Sequence, residues 1–273
     1  MGLIGGSIAL AVREVWPSAM VVAVDRHDVV DSAMRQRAID RGAADLSVLA
    51  GADLIVLAAP VRQNLQLLGQ LEGAIPGPAI VTDTGSTKRA IVAAAEALPA
   101  RFTFVGGHPL GGAAVGGLEH ARADLFRTRP WIFTPASTAP DDAVGRLTAF
   151  AAALGADTTV MSAADHDRVL AFLSHLPQLA ASALMTVVGN SVGNAGLALA
   201  GRGLVDTTRL SSSPADIWRD IAASNADEIG PALDLLIATL QSLRRDLPAG
   251  DALTDVFTAA ARWRQQLTSR STL

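Results

Sequence analysis

Short apolar runs alternate with amphipathic helical patterns from residue 19 to residue 161 of the chain. The runs at 53–61 (DLIVLAAPV) and 79–83 (AIVTD) are almost continuously apolar, as expected of strands covered on both faces. Helical patterns follow these runs, and this order predicts an α/β fold with a doubly wound parallel sheet. The predicted strands are 19–27, 53–61, 76–83, 102–106, 131–135 and 156–161, and the predicted helices between them are 29–42, 62–73, 87–98 and 143–154.

The strand pattern stops at Ser162. Alanine- and leucine-rich helical patterns then fill 163–200, 214–247 and 251–268. We therefore predict two domains, an α/β domain at 1–162 and an all-helical domain at 163–273.

The stretch between Arg168 and Arg202 has no charged residue, which raises the question of a membrane span. A lipid-facing helix needs about 20 mostly apolar residues, and polar positions such as His175, Gln178 and Asn190 interrupt this run. We predict no membrane span and interpret the stretch as buried helix. A homodimer formed through the helical domain would bury it, and packing within one chain is the alternative.

Composition narrows the function classes. The chain has 273 residues, 50% of them hydrophobic, and a formal net charge of −4 without a basic block, which argues against nucleic acid as a partner. Residues 1–12 lack the pattern of a signal peptide and cysteine is absent, so we expect a cytoplasmic protein. The five histidines are scattered with no carboxylate pattern around them, and we expect no metal site.

The chain begins with half of a dinucleotide-binding fingerprint. Gly2, Leu3, Ile4 and Gly5 match the second part of G-x-G-x-x-G, in which glycines let the backbone approach a pyrophosphate at a helix N-terminus. The strand and the first glycine that should precede them are missing, and we expect an upstream start that supplies them.

Asp25 ends an apolar run 20 residues after Gly5, the spacing of the acid that hydrogen-bonds the ribose 2′-hydroxyl. Because such an acid repels a 2′-phosphate, we predict a Rossmann-type domain that binds NAD. The neighbouring Arg26 keeps NADP as the alternative. Pro60 closes the run at 53–61, at the place that flanks the nicotinamide ribose in dinucleotide folds.

Ser86 and His108 are the candidates for acid–base chemistry. Ser86 follows the strand AIVTD, and His108 follows the apolar run FTFVGG in what we predict to be a turn of glycine and proline. Both positions fall at the carboxyl ends of parallel strands, where open α/β sheets bind their ligands. We expect the two side chains to form a hydrogen-bonded pair able to accept a proton.

Five stretches in series resemble the prephenate/arogenate dehydrogenase family of tyrosine biosynthesis. They are GLIGGS (2–7), TDTGSTK (82–88), GGHPLGG (106–112), HDRVLAFLSHLPQLAA (166–181) and DTTRLSSSPADIWRDIAASN (206–225). The resemblance implies an NAD-dependent prephenate dehydrogenase that converts prephenate to 4-hydroxyphenylpyruvate by oxidative decarboxylation.

The resemblance also implies roles for single residues. His108 would be the catalytic histidine that polarises the substrate 4-hydroxyl, oriented by Ser86. Arg209 would bind a substrate carboxylate, for which its planar guanidinium is suited. Ser174 and His175 would face the substrate, and Asp167 would support the site from behind.

Two departures from the family pattern leave the substrate open. Gln178 stands where many members have a substrate-contacting histidine, and Ala113 and Ala114 stand where many have a glutamate. Because Gln178 can both donate and accept hydrogen bonds, arogenate and 4-amino-4-deoxyprephenate stay alternatives to prephenate.

Two other functions compete with this one. The β-hydroxyacid dehydrogenases join the same two kinds of domain but use a lysine of the helical part, whereas the only lysine here is Lys88. A non-catalytic nucleotide-binding relative is the second, favoured by the incomplete fingerprint and opposed by the intact Ser86, His108 and Arg209.

Overall fold

The computed structural model of the protein describes residues 1–111 and 116–269. Within these residues the strands are β1 (Val22–Val24), β2 (Arg41–Ala43), β3 (Leu54–Leu57), β4 (Ala79–Asp83), β5 (Phe102–Pro109), β6 (Pro130–Pro135) and β7 (Asp157–Val160). β1 pairs with β2, and the other five form a second sheet in the order β3-β4-β5-β6-β7. All of these pairs are parallel except β5 with β6.

The α/β part also contains α1 (Leu3–Val15), α2 (His27–Arg35), α3 (Val61–Ala74), α4 (Arg89–Ala95) and α5 (Asp141–Ala153). One buried cluster joins Ile8 of α1 and Leu147 of α5 to Phe133 of β6. A separate cluster joins Leu68 of α3 to Val81 of β4. Because separate helices build a core with the sheet in each cluster, the prediction of an α/β fold with a doubly wound sheet is confirmed, and that sheet is mostly parallel.

The antiparallel pair β5–β6 departs from the all-parallel expectation. Parallel neighbours need a crossover connection, usually an α-helix. The described part of the connection between Pro109 and Pro130 contains only a 3₁₀ turn, Leu118–His120. The chain therefore returns beside β5 in the opposite direction.

The helix predicted at 29–42 is wrong in its second half. α2 ends at Arg35, Arg37 turns the chain with a φ of 56°, and Arg41–Ala43 form β2. Gly42 permits this packing, because a Cβ at its position would lie 2.6 Å from Val30 Cγ1. A strand of three residues is too short to show a period of two, so the pattern did not reveal it.

From Ala163 the chain is helical: α6 (Ala163–Leu170), a π-helical turn (Ala171–His175), α7 (Leu176–Leu197), α8 (Arg202–Thr207) and α9 (Ala215–Ser224). The π-helical turn directly precedes α7, whose second residue is Pro177. The ring of a proline cannot continue an ordinary α-helical ladder. α7 is kinked at Gly193, which has a φ of 61°.

Two compact units make up the chain, Met1–Ala226 and Asp227–Leu273. The helices α6 to α9 belong to the first unit. Within that unit, α6 packs on α4 and β6. The second unit contains most of α10 (Ala226–Asp246) and all of α11 (Asp251–Ser269). The predicted domain boundary near residue 162 stays a prediction.

The helical segment Ala163–Leu197, which includes the π-helical turn and the kink at Gly193, is long and apolar enough to cross a membrane on length and composition alone. Its first half, however, buries His166, Asp167, His175 and Gln178 against other elements of the protein. Its second half exposes apolar side chains, including Leu184 and Val187. The helix therefore combines a polar buried half with an apolar exposed half.

Candidate active site

His108 lies inside β5, where it pairs with Ile132 of β6, so the predicted turn at this position is wrong. The preceding Gly107 allows the strand to continue, because a Cβ there would lie 2.6 Å from the carbonyl oxygen of Asp83. His108 is only 8% exposed. Its imidazole is thus buried near the carboxyl end of the middle strand of the five-stranded sheet.

A buried ion pair ties the end of β4 to the backbone beside His108. The carboxylate of Asp83 accepts hydrogen bonds from the backbone N–H groups of Gly85 (2.8 Å) and Gly107 (3.0 Å) and pairs with the Lys88 ammonium. Lys88 Nζ also donates to the carbonyl oxygen of Gly107 at 2.7 Å. Burial lowers the pKa of Lys88, and the Asp83 carboxylate opposes that shift. This pair holds the strand that carries His108.

A chain of side-chain hydrogen bonds leads away from His108. Its Nδ1 lies 2.9 Å from His166 Nε2, and His166 Nδ1 lies 2.8 Å from Asp167 Oδ1. Asp167 also accepts from the backbone N–H groups of Lys88 (2.7 Å) and Arg89 (2.9 Å). All three members of the His108–His166–Asp167 chain are buried.

The predicted hydrogen bond between Ser86 and His108 is not formed, and His108 Nδ1 pairs with His166 on α6 instead. Ser86 lies partly buried on the loop between β4 and α4. Its neighbour Thr87 shares a hydrogen bond of 2.9 Å with Ser224 at the end of α9, which anchors that loop. A role for Ser86 in the site stays a prediction.

His108 is uncharged at neutral pH. Burial lowers its pKa well below the ordinary 6.5, and the nearby His166, Lys88 and His175 lower it further. Burial also lowers the pKa of His166, although the Asp167 carboxylate opposes this. Hydrogen bonds from His166 and from two backbone N–H groups outweigh burial and lower the pKa of Asp167, which is therefore ionised. The site thus holds two neutral imidazoles and one carboxylate in line.

Asn225 connects this chain to a second buried histidine. Its Nδ2 donates to the carbonyl oxygen of Asp167 (2.9 Å) and lies 3.3 Å from His175 Nδ1, while its Oδ1 accepts from Arg89 at 2.8 Å. Burial lowers the pKa of His175 to about 4. His175 Nε2 is buried and has no hydrogen-bond partner in the described parts of the chain. This nitrogen is available to a ligand.

Gln178 is engaged with the segment that carries Arg209. It is 4% exposed, donates from Nε2 to the carbonyl oxygen of Leu210 at 2.8 Å, and accepts at Oε1 from Ser213 at 3.2 Å. Arg209 itself is exposed at the start of a 3₁₀ turn, Arg209–Ser212. Ser174 is partly buried in the π-helical turn.

The fingerprint residues form the start of α1. Gly2 is its N-cap, no acidic side chain occupies its first turn, and the first backbone N–H groups of a helix lack partners within it. Leu3 is buried in the core, so only its backbone faces that end. A Cβ at Gly5 would lie 3.1 Å from Ala58 Cβ, so glycine lets α1 pack closely on the end of β3. Ile4 is partly buried and packs against the same core as Leu3. These features fit a bound pyrophosphate.

Asp25 follows β1 directly, and Pro60 is the N-cap of α3 just after β3. Asp25 accepts a hydrogen bond from the backbone N–H of Arg26 (2.8 Å) and pairs with the ammonium group of Met1. The Arg26 guanidinium forms an exposed ion pair with Asp28 at 3.3 Å. Asp25 therefore lies at the end of β1, and its role in binding the ribose stays a prediction. The Arg26 side chain is directed towards another carboxylate.

Pattern reasoning missed three residues of this site: His166, Asn225 and Lys88. All three are less than 1% exposed, although lysine and asparagine are mostly found at the surface. The isolation of Lys88 as the single lysine of the chain was a usable signal. Nothing local marks Asn225, whose three partners lie on other elements. Over the described residues, no group of three histidine or carboxylate side chains is arranged to hold a metal ion.

Comparisons with known proteins agree with this architecture. Residues 8–160 match the family described as prephenate dehydrogenase, nucleotide-binding domain, and residues 162–258 match prephenate dehydrogenase, dimerization domain. The prephenate dehydrogenase of Bacillus subtilis is 33% identical to the chain, over 99% of the chain and 75% of that protein.

Two solved structures extend the likeness to three dimensions. Prephenate dehydrogenase from A. aeolicus, in complex with hydroxyphenyl propionate and NAD+, superimposes with a TM-score of 0.89 at 26% identity, over 97% of this chain and 95% of that one. Synechocystis arogenate dehydrogenase has a TM-score of 0.79 at 27% identity, over 99% and 96% of the two chains.

Proposed function

The chain belongs to the prephenate dehydrogenase family, and from that premise we propose that His108 accepts the hydroxyl proton of its cyclohexadienol substrate. The protein is an NAD-dependent oxidoreductase. In the family reaction a hydride leaves the ring carbon that bears the 4-hydroxyl, and the ring carboxylate leaves as CO₂. When bound, NAD+ supplies the hydride acceptor.

The observation that carries this proposal is a buried, neutral imidazole at the carboxyl end of the sheet. Burial holds the pKa of His108 below its ordinary value, so that the ring is a free base at neutral pH. One of its nitrogens is already hydrogen-bonded to His166, which leaves the other for the substrate. A positioned base of this kind lowers the barrier to loss of the hydroxyl proton.

The carboxylates of the substrate need donors, and we assign Arg209 and His175 to them. Arg209 is exposed, and no ion pair to it is formed within the described chain. His175 Nε2 is a buried nitrogen that lacks a partner. Gln178 supports the turn of Arg209 from behind and so has a structural part in binding. Ser174 precedes His175 in the same π-helical turn and is assigned to the substrate side.

The cofactor end is assigned to α1 and the end of β1. The backbone at Gly2, Leu3, Ile4 and Gly5 would hold the pyrophosphate, and Asp25 would accept from the ribose hydroxyls. Pro60, at the end of β3, would border the nicotinamide side.

Among the family's substrates we favour prephenate, because a relative that is 33% identical over 99% of the chain is named for it. Arogenate is the second candidate, favoured by the likeness to the Synechocystis enzyme. Initial rates of NADH formation should be compared for prephenate, arogenate and 4-amino-4-deoxyprephenate. We expect the highest kcat/KM with prephenate. A higher value with either of the others would correct the substrate, and no NADH with any of the three would refute the proposed function.

We also propose that the protein is a cytoplasmic homodimer. α11 is 19 residues long and has no buried residue, yet it exposes Phe257, Trp263 and Leu267. A lone helix of that length is marginal in water, so its apolar side chains need a partner surface. The match of 162–258 to a dimerization domain makes a second copy of the chain the natural partner.

A further inference from the structure

We propose that Asp167 and Asn225, which we call the hub, hold His108 and His175 in opposite tautomers, so that one ring accepts from the substrate and the other donates to it. His166 and Asn225 are then positioning residues, acting through the two histidines. The use of the rings by a substrate rests on the proposed function, whereas the tautomers themselves follow from the hydrogen bonds alone.

The first step concerns His166. An ionised carboxylate can only accept hydrogen bonds, and Asp167 already accepts from the backbone N–H groups of Lys88 and Arg89. The nitrogen of His166 that faces Asp167 Oδ1 must therefore carry a hydrogen. That nitrogen is Nδ1, at 2.8 Å.

The second step passes the constraint to His108. A neutral imidazole carries one N–H, so His166 Nε2 is a bare acceptor. His108 Nδ1, 2.9 Å away, must then be the donor. The hydrogen of the His108 ring is thereby fixed on Nδ1, and Nε2 is left as the acceptor. Burial lowers the pKa of His166 and keeps the ring neutral. Lys88 also lowers this pKa, whereas Asp167 and Asp83 raise it.

The third step uses Asn225, whose amide orientation is set by its neighbours. Arg89 can only donate and lies 2.8 Å from one amide atom, which must be the oxygen. The carbonyl oxygen of Asp167 can only accept, so it faces the amide nitrogen at 2.9 Å. The second hydrogen of that nitrogen is directed to His175 Nδ1 at 3.3 Å. His175 therefore accepts at Nδ1 and carries its hydrogen on Nε2.

The two results fit one substrate. The hydroxyl proton moves to the bare Nε2 of His108, and the imidazolium that forms keeps donating from Nδ1 to His166. The Asp167 carboxylate stabilises that positive charge through His166. The Nε2–H of His175, buried and without a partner in the described chain, donates to a substrate carboxylate. With the opposite tautomer, His108 would present an N–H to the hydroxyl and could not accept its proton. His175 would present a lone pair to the carboxylate and could not donate to it.

The tautomers can be read directly by NMR of the full-length protein labelled with ¹⁵N-histidine, because the chain has only five histidines. We expect His108 in the Nδ1–H form and His175 in the Nε2–H form at neutral pH, while the exposed His27 and His120 average between forms. Finding His108 in the Nε2–H form, or His175 in the Nδ1–H form, would overturn the proposal without any variant.

Variants add a functional readout. His166→Phe removes the acceptor for His108 Nδ1, and we expect the fixed tautomer to be lost and kcat to fall about 10²-fold with little change in KM. His166→Gln can still present an oxygen there and should keep both the tautomer and most of the activity. Asn225→Asp removes the donor to His175, and the hydrogen of His175 should move to Nδ1 while KM rises.

The outcomes separate the inference from the proposed function. The expected tautomers together with a fully active His108→Ala enzyme would refute the proposed base and leave the hub intact. If the His108→Ala enzyme is inactive but the wild-type protein shows the reverse tautomers, the hub is refuted and the proposed base is not. Equal losses of kcat in His166→Phe and His166→Gln, with the tautomer of His108 unchanged in both, would reduce His166 to a packing role and contradict the proposal.

Discussion

The side-chain amide of Gln178 donates to the carbonyl oxygen of Leu210, 2.8 Å away, and so fastens α7 to the turn that begins at Arg209. Its oxygen accepts from Ser213 on the far side of that turn at 3.2 Å. Gln178 left the choice of substrate open on sequence grounds. In the structure its side chain supports the turn that carries Arg209, the proposed carboxylate donor.

Gln178→Met keeps the length of the side chain but removes both hydrogen bonds to the turn. Because the carbonyl oxygen of Leu210 loses its partner, the free energy of unfolding should fall by about 1–3 kcal/mol. The KM for substrate should rise while the KM for NAD stays the same. Urea unfolding and steady-state kinetics measure the two effects, with the exposed Gln70→Met as control. Unchanged stability and an unchanged substrate KM would contradict this support.

Arg209→Ala should raise the substrate KM, or lower kcat/KM, by at least about tenfold, because it removes a bidentate partner of a carboxylate. Arg202→Ala is the matched control, since Arg202 is exposed and pairs with Asp206 at 3.6 Å one helical turn away. A loss of NAD affinity in the Arg209 variant, or an equal effect of both variants, would argue that Arg209 has a structural role.

His108→Ala should lower kcat by roughly 10²–10⁴-fold, the usual cost of losing a positioned acid–base group. NAD affinity, measured by fluorescence titration, should be unchanged because the proposed cofactor contacts lie on other elements. The exposed His120→Ala serves as control and should retain wild-type rates. A loss of less than threefold in the His108 variant would remove this residue from the mechanism.

Stability should fall as the pH drops below neutrality. The pKa values of His108, His166 and His175 are all lowered in the folded protein, that of His175 to about 4, whereas an unfolded histidine titrates near 6.5. Between those values the unfolded chain binds protons that the folded protein does not, so the free energy of unfolding decreases with falling pH. The decrease is at most about 1.4 kcal/mol per pH unit for each histidine.

Urea midpoints at pH 7.5 and pH 5 test this dependence. His175→Gln should weaken the dependence on pH by removing one of the three histidines, and the exposed His120→Gln should leave it as in the wild type. A midpoint that is the same at both pH values would show that the three rings are protonated as readily in the folded protein as in the unfolded chain.

If α11 lies in the dimer interface, charged substitutions on it should convert the dimer to a monomer in solution. Phe257 and Trp263 are 66% and 59% exposed within one chain, and an aspartate at either position would place a charge in an apolar interface. Sedimentation velocity at micromolar concentration should show a dimer for the wild type and monomer for Phe257→Asp or Trp263→Asp. Met20→Asp, at an equally exposed apolar position of the α/β part, should remain dimeric. A monomeric wild type would refute the dimer.

The sequence alone determined the fold class and the family, because both rest on local patterns. The alternation of strands and helices follows from periods of two and 3.6 residues, and the buried strand AIVTD shows as an apolar run. Motifs at fixed spacing pointed to His108, Arg209 and Asp25 as candidate site residues. These signals lie within one element or at a fixed distance along the chain, so they do not depend on how distant elements pack together.

The partners of those residues were decided only by the tertiary structure. His108 is bonded to His166, 58 residues away, and not to the nearer Ser86, and Asn225 meets His175 across 50 residues. Such pairings depend on how α6, α7 and α9 pack against the sheet, and a sequence pattern carries no register between distant elements. Burial then lowered the pKa values of the same histidines. The chemistry of the site is therefore a property of packing, because the surroundings of each ring, and not its residue type, fix its charge and its tautomer.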